Sequence, residues 1–290
     1  MSMQEMTDKQ LEAYRQELVR RERSPATIAN YIRHCGEFLQ FCQDSQDGLE
    51  AAPNQPNQEM LLNWKRALLA AGLCPATINA KLAAVSSFLR FMGWQDCQVR
   101  FLKVQRRVFR DRDRELTRQE YDTLLATAYK LGKRRLVLLL ETICATGVRV
   151  SEVAYITVEA ARLGRAEVTL KGKVRTILLP NKLCRKLLKY ARKTKTVSGQ
   201  IFLTRNGTPL SRKQIWAEMK SLCAAAHVAP GKVFPHNLRH LFATVFYRAC
   251  HDIVKLADVL GHSRIETTRI YLVTTGFEYA RQLESLGLVS

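Results

Sequence analysis

FPHNLRHLFATVFYRAC, residues 234–250, carries Leu238, Leu241, Phe242, Val245, Phe246 and Ala249 at i, i+3, i+4, i+7, i+8 and i+11. That is the period of a helix with one face turned to a core, and it predicts a continuous buried stripe. At about 100° per residue, His236 falls well outside the stripe and Arg239 at its border. The two polar groups, three positions apart, can therefore face one point in space. Alone, a His or Arg at a helix start is more often a cap or a surface salt bridge than a functional group.

Downstream lies GHSRIETTRIY, residues 261–271. Ser263 to Glu266 has the S-x-x-E form of a capping box, which predicts a helix starting just after His262, with Tyr271 two turns later. On its own Tyr271 reads as a half-buried anchor with its hydroxyl at the surface. Upstream, the Leu- and Val-rich helix RRLVLLLETICATG stops at Gly147, and a further helix is expected through Ser151–Ile156. Arg149 follows the stop, and Glu152, three residues on, can orient it by a bidentate pair.

The one clear β signal is AEVTLKGKVRTILLP, residues 166–180, two β-rich runs about a Lys-Gly-Lys turn that puts Lys171 and Lys173 at a hairpin tip. KLCRKLLKYARKTK follows as a helix with Leu183, Leu187 and Leu188 inward. Lys182, Arg185, Lys186, Lys189, Arg192 and Lys193 lie outward, a solvated face or a phosphate-contacting one. Capping boxes at Thr117–Glu120 and Ser211–Gln214 open further helices.

The first hundred residues read as helical. SPATIANYIRHCGEFLQF from Ser24 and CPATINAKLAAVSSFLRF from Cys74 share a template, each with Pro near the first helical position. Ile28, Tyr31, Phe38 and Phe41 fall at helical spacing in the first. Two similar helix starts in one bundle explain this better than a tandem repeat. KVQRRVFRDRDRE, dense in charge, reads as an exposed linker. The expected fold is therefore mainly α with a small β-hairpin: an N-terminal helical domain over 1–103, a basic linker over 104–115, and an α+β domain over 116–290.

With 46 Lys and Arg against 26 Asp and Glu, the formal net charge is +20, which points to a polyanionic partner, most often nucleic acid. The polar N-terminus shows no signal peptide, and the longest apolar run, Leu136–Leu140, is too short for a bilayer. A soluble, cytoplasmic protein is expected. The eight cysteines form no CxxC pair and sit mostly in apolar patterns, as reduced core thiols do. Neither zinc nor disulfides nor any cofactor is expected.

Two arginines, a lysine, two histidines and a tyrosine, with no metal cluster and no Gly-rich phosphate loop, suit metal-free phosphoryl transfer. Arginine forks neutralise nonbridging oxygens. A tyrosine hydroxyl can attack phosphorus, and a lysine on a turn can protonate the leaving alkoxide.

Taken in order, ATGVRVSE, PHNLRHLFAT and LGHSRIETTRIY resemble the tyrosine recombinases, or phage-type integrases, with the Xer-type site-specific recombinases nearest in length and layout. The resemblance covers nearly the whole chain and implies a core-binding domain followed by a catalytic domain. It implies that Arg149 is the first catalytic arginine, supported by Glu152, and that His236 and Arg239 are the HxxR pair. His262 would be the second histidine, donating to the scissile phosphate, and Tyr271 the nucleophile forming a 3′-phosphotyrosyl link. Lys171 matches the hairpin lysine that acts as general acid, but the turn is shorter than the usual Xer form, which leaves Lys173 as a rival. Leu241 stands where the family often has threonine, with no catalytic consequence.

The implied activity is cleavage and rejoining of a double-stranded DNA recombination site, without metal or ATP, for integration or excision of a mobile element or for Xer-type dimer resolution. A type IB topoisomerase-like relaxing enzyme and a catalytically idle DNA-binding protein are the alternatives. The family further implies a homotetramer in the synapse, a monomer being compatible with the free state, on the nucleoid of a bacterial cytoplasm. Its C-terminal segment, here the amphipathic FEYARQLESLGLV, either docks on a neighbouring protomer, the arrangement favoured, or packs in cis. DNA contacts are assigned to Arg106 and Arg107 in the linker and to Lys186, Lys189 and Arg192.

Overall fold

The computed structural model describes residues 3–44, 56–94, 96–103, 114–170, 173–271 and 284–287. The chain divides into two compact units, Met1–Arg106 and Arg107–Ser290.

The first unit holds α1 (Met3–Arg20), α2 (Pro25–Asp44), α3 (Gln58–Ala70) and α4 (Pro75–Phe91). Proline opens both α2 and α4, where its missing N–H costs no intrahelical bond. The matched template then packs one helix on the other. Ile28, Cys35 and Phe38 of α2 and Ile78, Leu82, Val85 and Phe88 of α4 join Tyr14, Leu18, Leu61 and Trp64 in a single core. Tyr31 and Phe41 pack at its margin. Cys74 departs from the core-thiol expectation, since it is exposed as the N-cap of α4.

The second unit is built around α6 (Arg134–Thr146), which is buried nearly all round, from Leu136 through Leu140 and on to Ile143. Such a helix must be covered on several sides. It packs against α5 (Arg118–Lys130), α8 (Asn181–Lys193) and α11 (Pro235–Cys250). The buried hydroxyls of Thr142 and Thr146 donate to the carbonyls four residues back, at 2.7 Å each. The helix stops at Gly147 with φ 62°, where a Cβ would come within 2.5 Å of the Phe242 ring. Only glycine fits there.

A 3-10 turn over Val150–Tyr155 replaces the α-helix expected through Ser151–Ile156. It leads into α7 (Val158–Leu163) and then β1 (Arg165–Leu170) and β2 (Lys173–Leu178), antiparallel from Arg165↔Leu178 to Leu170↔Lys173. After α8 come α9 (Arg212–Lys220), α10 (Cys223–Ala226), α11, α12 (Ile253–Leu260) and α13 (Ile265–Arg269). The capping boxes of α5 and α9 form as expected.

Of the expected linker, residues 104–113 lie outside the described residues, as does the C-terminal tail from 272 to 283. Arg114 is tied to the second unit, its carbonyl accepting from Asn237 Nδ2 at 2.7 Å.

Two further local expectations fail. The apolar stripe of α11 is not continuous: Leu238 and Leu241 are buried, but Val245 is 44 % exposed. The buried run is instead Asn237 to Leu241 with Ala243, because the first turns of α11 lie between α6 and α12. The Ser263–Glu266 capping box does not form either. The N-cap of α13 is Arg264 and has no side-chain cap. The turn before it is fixed by tertiary bonds: the His262 N–H bonds the Ala257 carbonyl, and its ring is held on both sides.

Candidate active site

Arg149 leaves the Gly147 stop in extended backbone. Its Nη1 donates to Glu152 Oε1 at 2.7 Å, while its own N–H donates to Oε2 at 2.9 Å. Glu152 thus orients Arg149 by gripping side chain and backbone together rather than by a fork-to-fork pair. The carboxylate is buried, whereas the Arg149 side chain is 40 % exposed. A fixed, half-open guanidinium is what an incoming anion needs.

Arg239, placed by helical phase at the border of an apolar stripe, is only 2 % exposed. Burial is tolerated because its donors are matched. Nη1 bonds the Gly147 carbonyl, and Nη2 bonds the Leu260 carbonyl and His262 Nε2, both at 2.9 Å. Burial is the main reason its pKa falls, with Arg149 adding to the effect; hydrogen bonding to Tyr271 and the charge of Glu152 oppose it.

An arginine can only donate, so His262 Nε2 accepts, and the proton of the neutral ring sits on Nδ1, facing Thr268 Oγ1 at 2.9 Å. Desolvation, followed by the charges of Arg239, Arg149 and Arg175, pushes the His262 pKa from 6.5 down to about 4.

This has a consequence for stability. In the unfolded chain the imidazole takes its proton near 6.5, in the folded chain only near 4. Between those values the unfolded state binds more protons, so stability falls as pH drops through that window. Melting curves at pH 8 and pH 5 should show a drop in Tm that is smaller in His262→Gln. An equal drop in both proteins would contradict the assignment.

Tyr271 closes the site. It is 4 % exposed and packs on Ala243, Leu256 and Leu260, rather than standing half-buried with its hydroxyl at the surface. Three histidine rings surround it: His236 at 6.0 Å, His240 at 5.2 Å and His262 at 5.8 Å, the last nearly parallel at 12°. His236 is exposed. The structure therefore gathers Arg149, Glu152, His236, Arg239, His262 and Tyr271 in one place.

Lys171 lies outside the described residues, as do Arg106 and Arg107. Lys173 is the first residue of β2. On α8, Lys186 is engaged internally with Glu141, while Lys189 and Arg192 are exposed beside Lys182, Arg185 and Lys193.

Three residues of the site carry no clear mark in the sequence pattern. His240 follows Arg239 directly and is four positions from His236, a helical spacing that could have flagged it. Thr268 accepts the Nδ1 proton of the His262 tautomer that Arg239 fixes. Arg175, on β2, pairs with Glu152 across 23 residues, a contact with no local signature.

Among the described residues, no group of three or more His, Cys, Asp or Glu is placed to hold a metal ion. No helix there is long and apolar enough to cross a membrane. The arrangement is a cluster of arginines and histidines around a tyrosine, suited to binding a phosphodiester and attacking its phosphorus.

The chain is 28 % identical over 276 residues to tyrosine recombinase XerA of Pyrococcus furiosus, covering 92 % of this chain and 90 % of that protein. It is 29 % identical over 288 residues to tyrosine recombinase XerC of Roseiflexus castenholzii, covering 91 % and 88 %.

Among solved structures, it resembles the XerH site-specific recombinase bound to palindromic difH substrate in a post-cleavage complex. That match has a TM-score of 0.74 and 19 % identity, over 92 % of this chain and 81 % of that one. A lambda integrase dimer bound to a COC′ core site gives a TM-score of 0.70 and 18 % identity, over 91 % and 76 %. Residues 11–96 match the phage integrase N-terminal SAM-like domain. Residues 114–275, more than half of the chain and the whole span from Arg149 to Tyr271, match the phage integrase family, and the chain belongs to that family.

Proposed function

We propose that in this tyrosine site-specific recombinase the attacking group is Tyr271, acting on a phosphate held by Arg149, Arg239 and His262. The observation that carries the reading is the enclosure of the Tyr271 ring by His236, His240 and His262 beside Arg239, all from one chain. The phenol oxygen bonds to phosphorus and the 5′-oxygen leaves, giving a 3′-phosphotyrosyl link. The reverse attack by a 5′-hydroxyl rejoins the strand, so the energy of the broken bond is kept and no ATP is used.

His236, exposed and next to Tyr271, takes or positions the phenolic proton. His262 must present a proton on Nε2 to donate to the phosphate. The anion makes this favourable, because it offsets the arginine charges that hold the ring neutral in the free protein. The leaving oxygen receives its proton from Lys171, with Lys173 as the alternative donor on the same hairpin. Tyr271 lies against residues of its own chain, which supports attack in cis.

The partner is a double-stranded DNA recombination site, engaged as a tetramer in the synapse and contacted by Lys189, Arg192 and the linker arginines Arg106 and Arg107. Lys186 contributes less, because Glu141 already neutralises it. No feature of the site favours a relaxing enzyme or an idle DNA binder, and the named relatives are recombinases.

The test is to trap the intermediate on a duplex nicked near the cleavage point, so that the freed 5′-end diffuses away. Digestion and mass spectrometry should then place the attached nucleotide on Tyr271. Attachment to another residue, or none, overturns the assignment. Binding of the same duplex should weaken steeply with salt, as each neutralised phosphate releases counterions. A flat salt response would refute the phosphate-binding role of the basic surface.

A further inference from the structure

The hairpin contributes a side chain that the proposed chemistry does not use. On β2, Val174 and Leu178 are exposed and Ile177 is buried, so alternation puts Arg175 on the inward face, where an apolar residue is expected. Its side chain is 11 % exposed. Burial, with Arg239 and Arg149 adding to it and Glu152 opposing, pushes its pKa down to about 10. A cation in that position is an expensive choice if packing alone is the purpose, since an apolar side chain of similar volume is usually at least as stabilising.

Its contacts show what the position gains. Nη1 donates to both Glu152 oxygens, at 3.1 and 3.3 Å, and Nη2 donates to the Val259 carbonyl at 2.9 Å. The stem fills the space beside Gly261, where φ is 63° and a Cβ would lie 2.3 Å from Arg175 Cδ. One guanidinium thus joins the segment 149–152, the strand 173–178 and the turn 259–262. The Gly261 carbonyl in that turn also faces Arg149 Nη2, at 3.4 Å.

We propose that Arg175 is a positioning residue for strand cleavage, holding the Glu152 carboxylate that aims Arg149 and the α12–α13 turn that carries His262 in one frame. It rests on the reading of Arg149 and His262 as phosphate ligands and adds the element that registers them against each other. Glu152 alone fixes Arg149 only within its own segment. Arg175 ties that carboxylate directly to the end of α12, beside the longer link that runs through Arg149 Nη2 to the Gly261 carbonyl. Charge supports the role: Arg149, Arg175 and Arg239 face one carboxylate, which leaves positive charge for a phosphate.

The test uses Arg175→Lys, which keeps the charge but cannot span carboxylate and carbonyl with a planar fork, together with Arg175→Met. Single-turnover cleavage is measured on a nicked duplex with either a normal scissile phosphodiester or a methylphosphonate, whose neutral methyl replaces one charged oxygen. Both variants should bind the duplex as the wild type does. Both should cleave the phosphodiester roughly 100-fold more slowly, the scale of a misplaced catalytic group. On the methylphosphonate, where an aimed guanidinium matters less, their deficit should largely vanish. In an Arg149→Ala background, Arg175→Lys should add no further loss.

Equal deficits on both substrates, accompanied by a lowered Tm, would overturn the proposal in favour of a structural role. Wild-type cleavage by Arg175→Lys and Arg175→Met would overturn it outright. Should Arg175→Met not fold, Arg175→Lys alone decides between these outcomes. Arg149→Ala separates the two levels: normal cleavage by that variant sinks the reading of the whole site, whereas its inactivity beside normal Arg175 variants sinks this inference only.

Discussion

Tyr271→Phe is expected to bind a recombination site as the wild type does and to form no covalent complex with it. The ring is 4 % exposed and packs against Ala243, Leu256 and Leu260, with Phe242, Phe246 and Tyr247 at the margin. Phenylalanine keeps all of that volume and loses one oxygen. The lost hydroxyl interacts with Arg239, so the cost in stability is at most that of one hydrogen bond, about 1 kcal/mol.

Tyr271→Ala is the poorer test, because emptying a buried aromatic site costs about 3–5 kcal/mol and would mix misfolding with lost chemistry. The effect of Tyr271→Phe on covalent attachment is total, since no neighbouring group can replace the oxygen that bonds to phosphorus. A denaturing gel of protein with a nicked, labelled duplex checks it, with thermal melting alongside. A retarded band from the Phe variant would remove Tyr271 as nucleophile.

Signals confined to one segment of chain are legible in the residues of that segment alone. Proline at Pro25 and Pro75, the Thr117–Glu120 and Ser211–Gln214 boxes and the Gly147 stop each act within a turn or two, and each does so in the fold. The short Lys-Gly-Lys turn announces the hairpin for the same reason.

Where local and tertiary forces compete, the sequence pattern misleads. Ser263 and Glu266 have the spacing of a capping box, but His262 between Arg239 and Thr268 fixes the chain there first. Helical phase puts Arg239 at the border of a stripe because a wheel cannot show the carbonyls of Gly147 and Leu260, which accept its donors from the ends of α6 and α12. Arg175 is the extreme case. Its partners Glu152 and Val259 lie 23 and 84 residues away, and nothing in a strand's own sequence predicts an inward arginine.

Arg239→Lys separates the charge of Arg239 from its shape, and it should damage both folding and cleavage. In the folded protein the guanidinium bridges the Gly147 carbonyl at the end of α6, the Leu260 carbonyl at the end of α12, and His262 Nε2. A lysine ammonium is a point donor on a flexible stem and cannot occupy the positions of a planar fork. At least one buried carbonyl is then left without a donor, at a cost of about 1–3 kcal/mol.

Alanine would give a less readable result, since removing the cation also relieves its repulsion with Arg149, an effect of opposite sign. Lysine keeps the charge, so that relief is absent and the loss of hydrogen bonding shows directly as a lower Tm. For cleavage, a preorganised donor aimed at a developing oxyanion is worth about 100- to 1,000-fold, and the Lys variant should lose that much in single-turnover rate while still binding DNA. The same substitution leaves in place the burial and the positive charge that depress His262, so its imidazole should still titrate well below 6.5 by NMR. Cleavage near the wild-type rate would mean that charge alone suffices at this position, and that the buried fork serves only to hold α6 and α12 together.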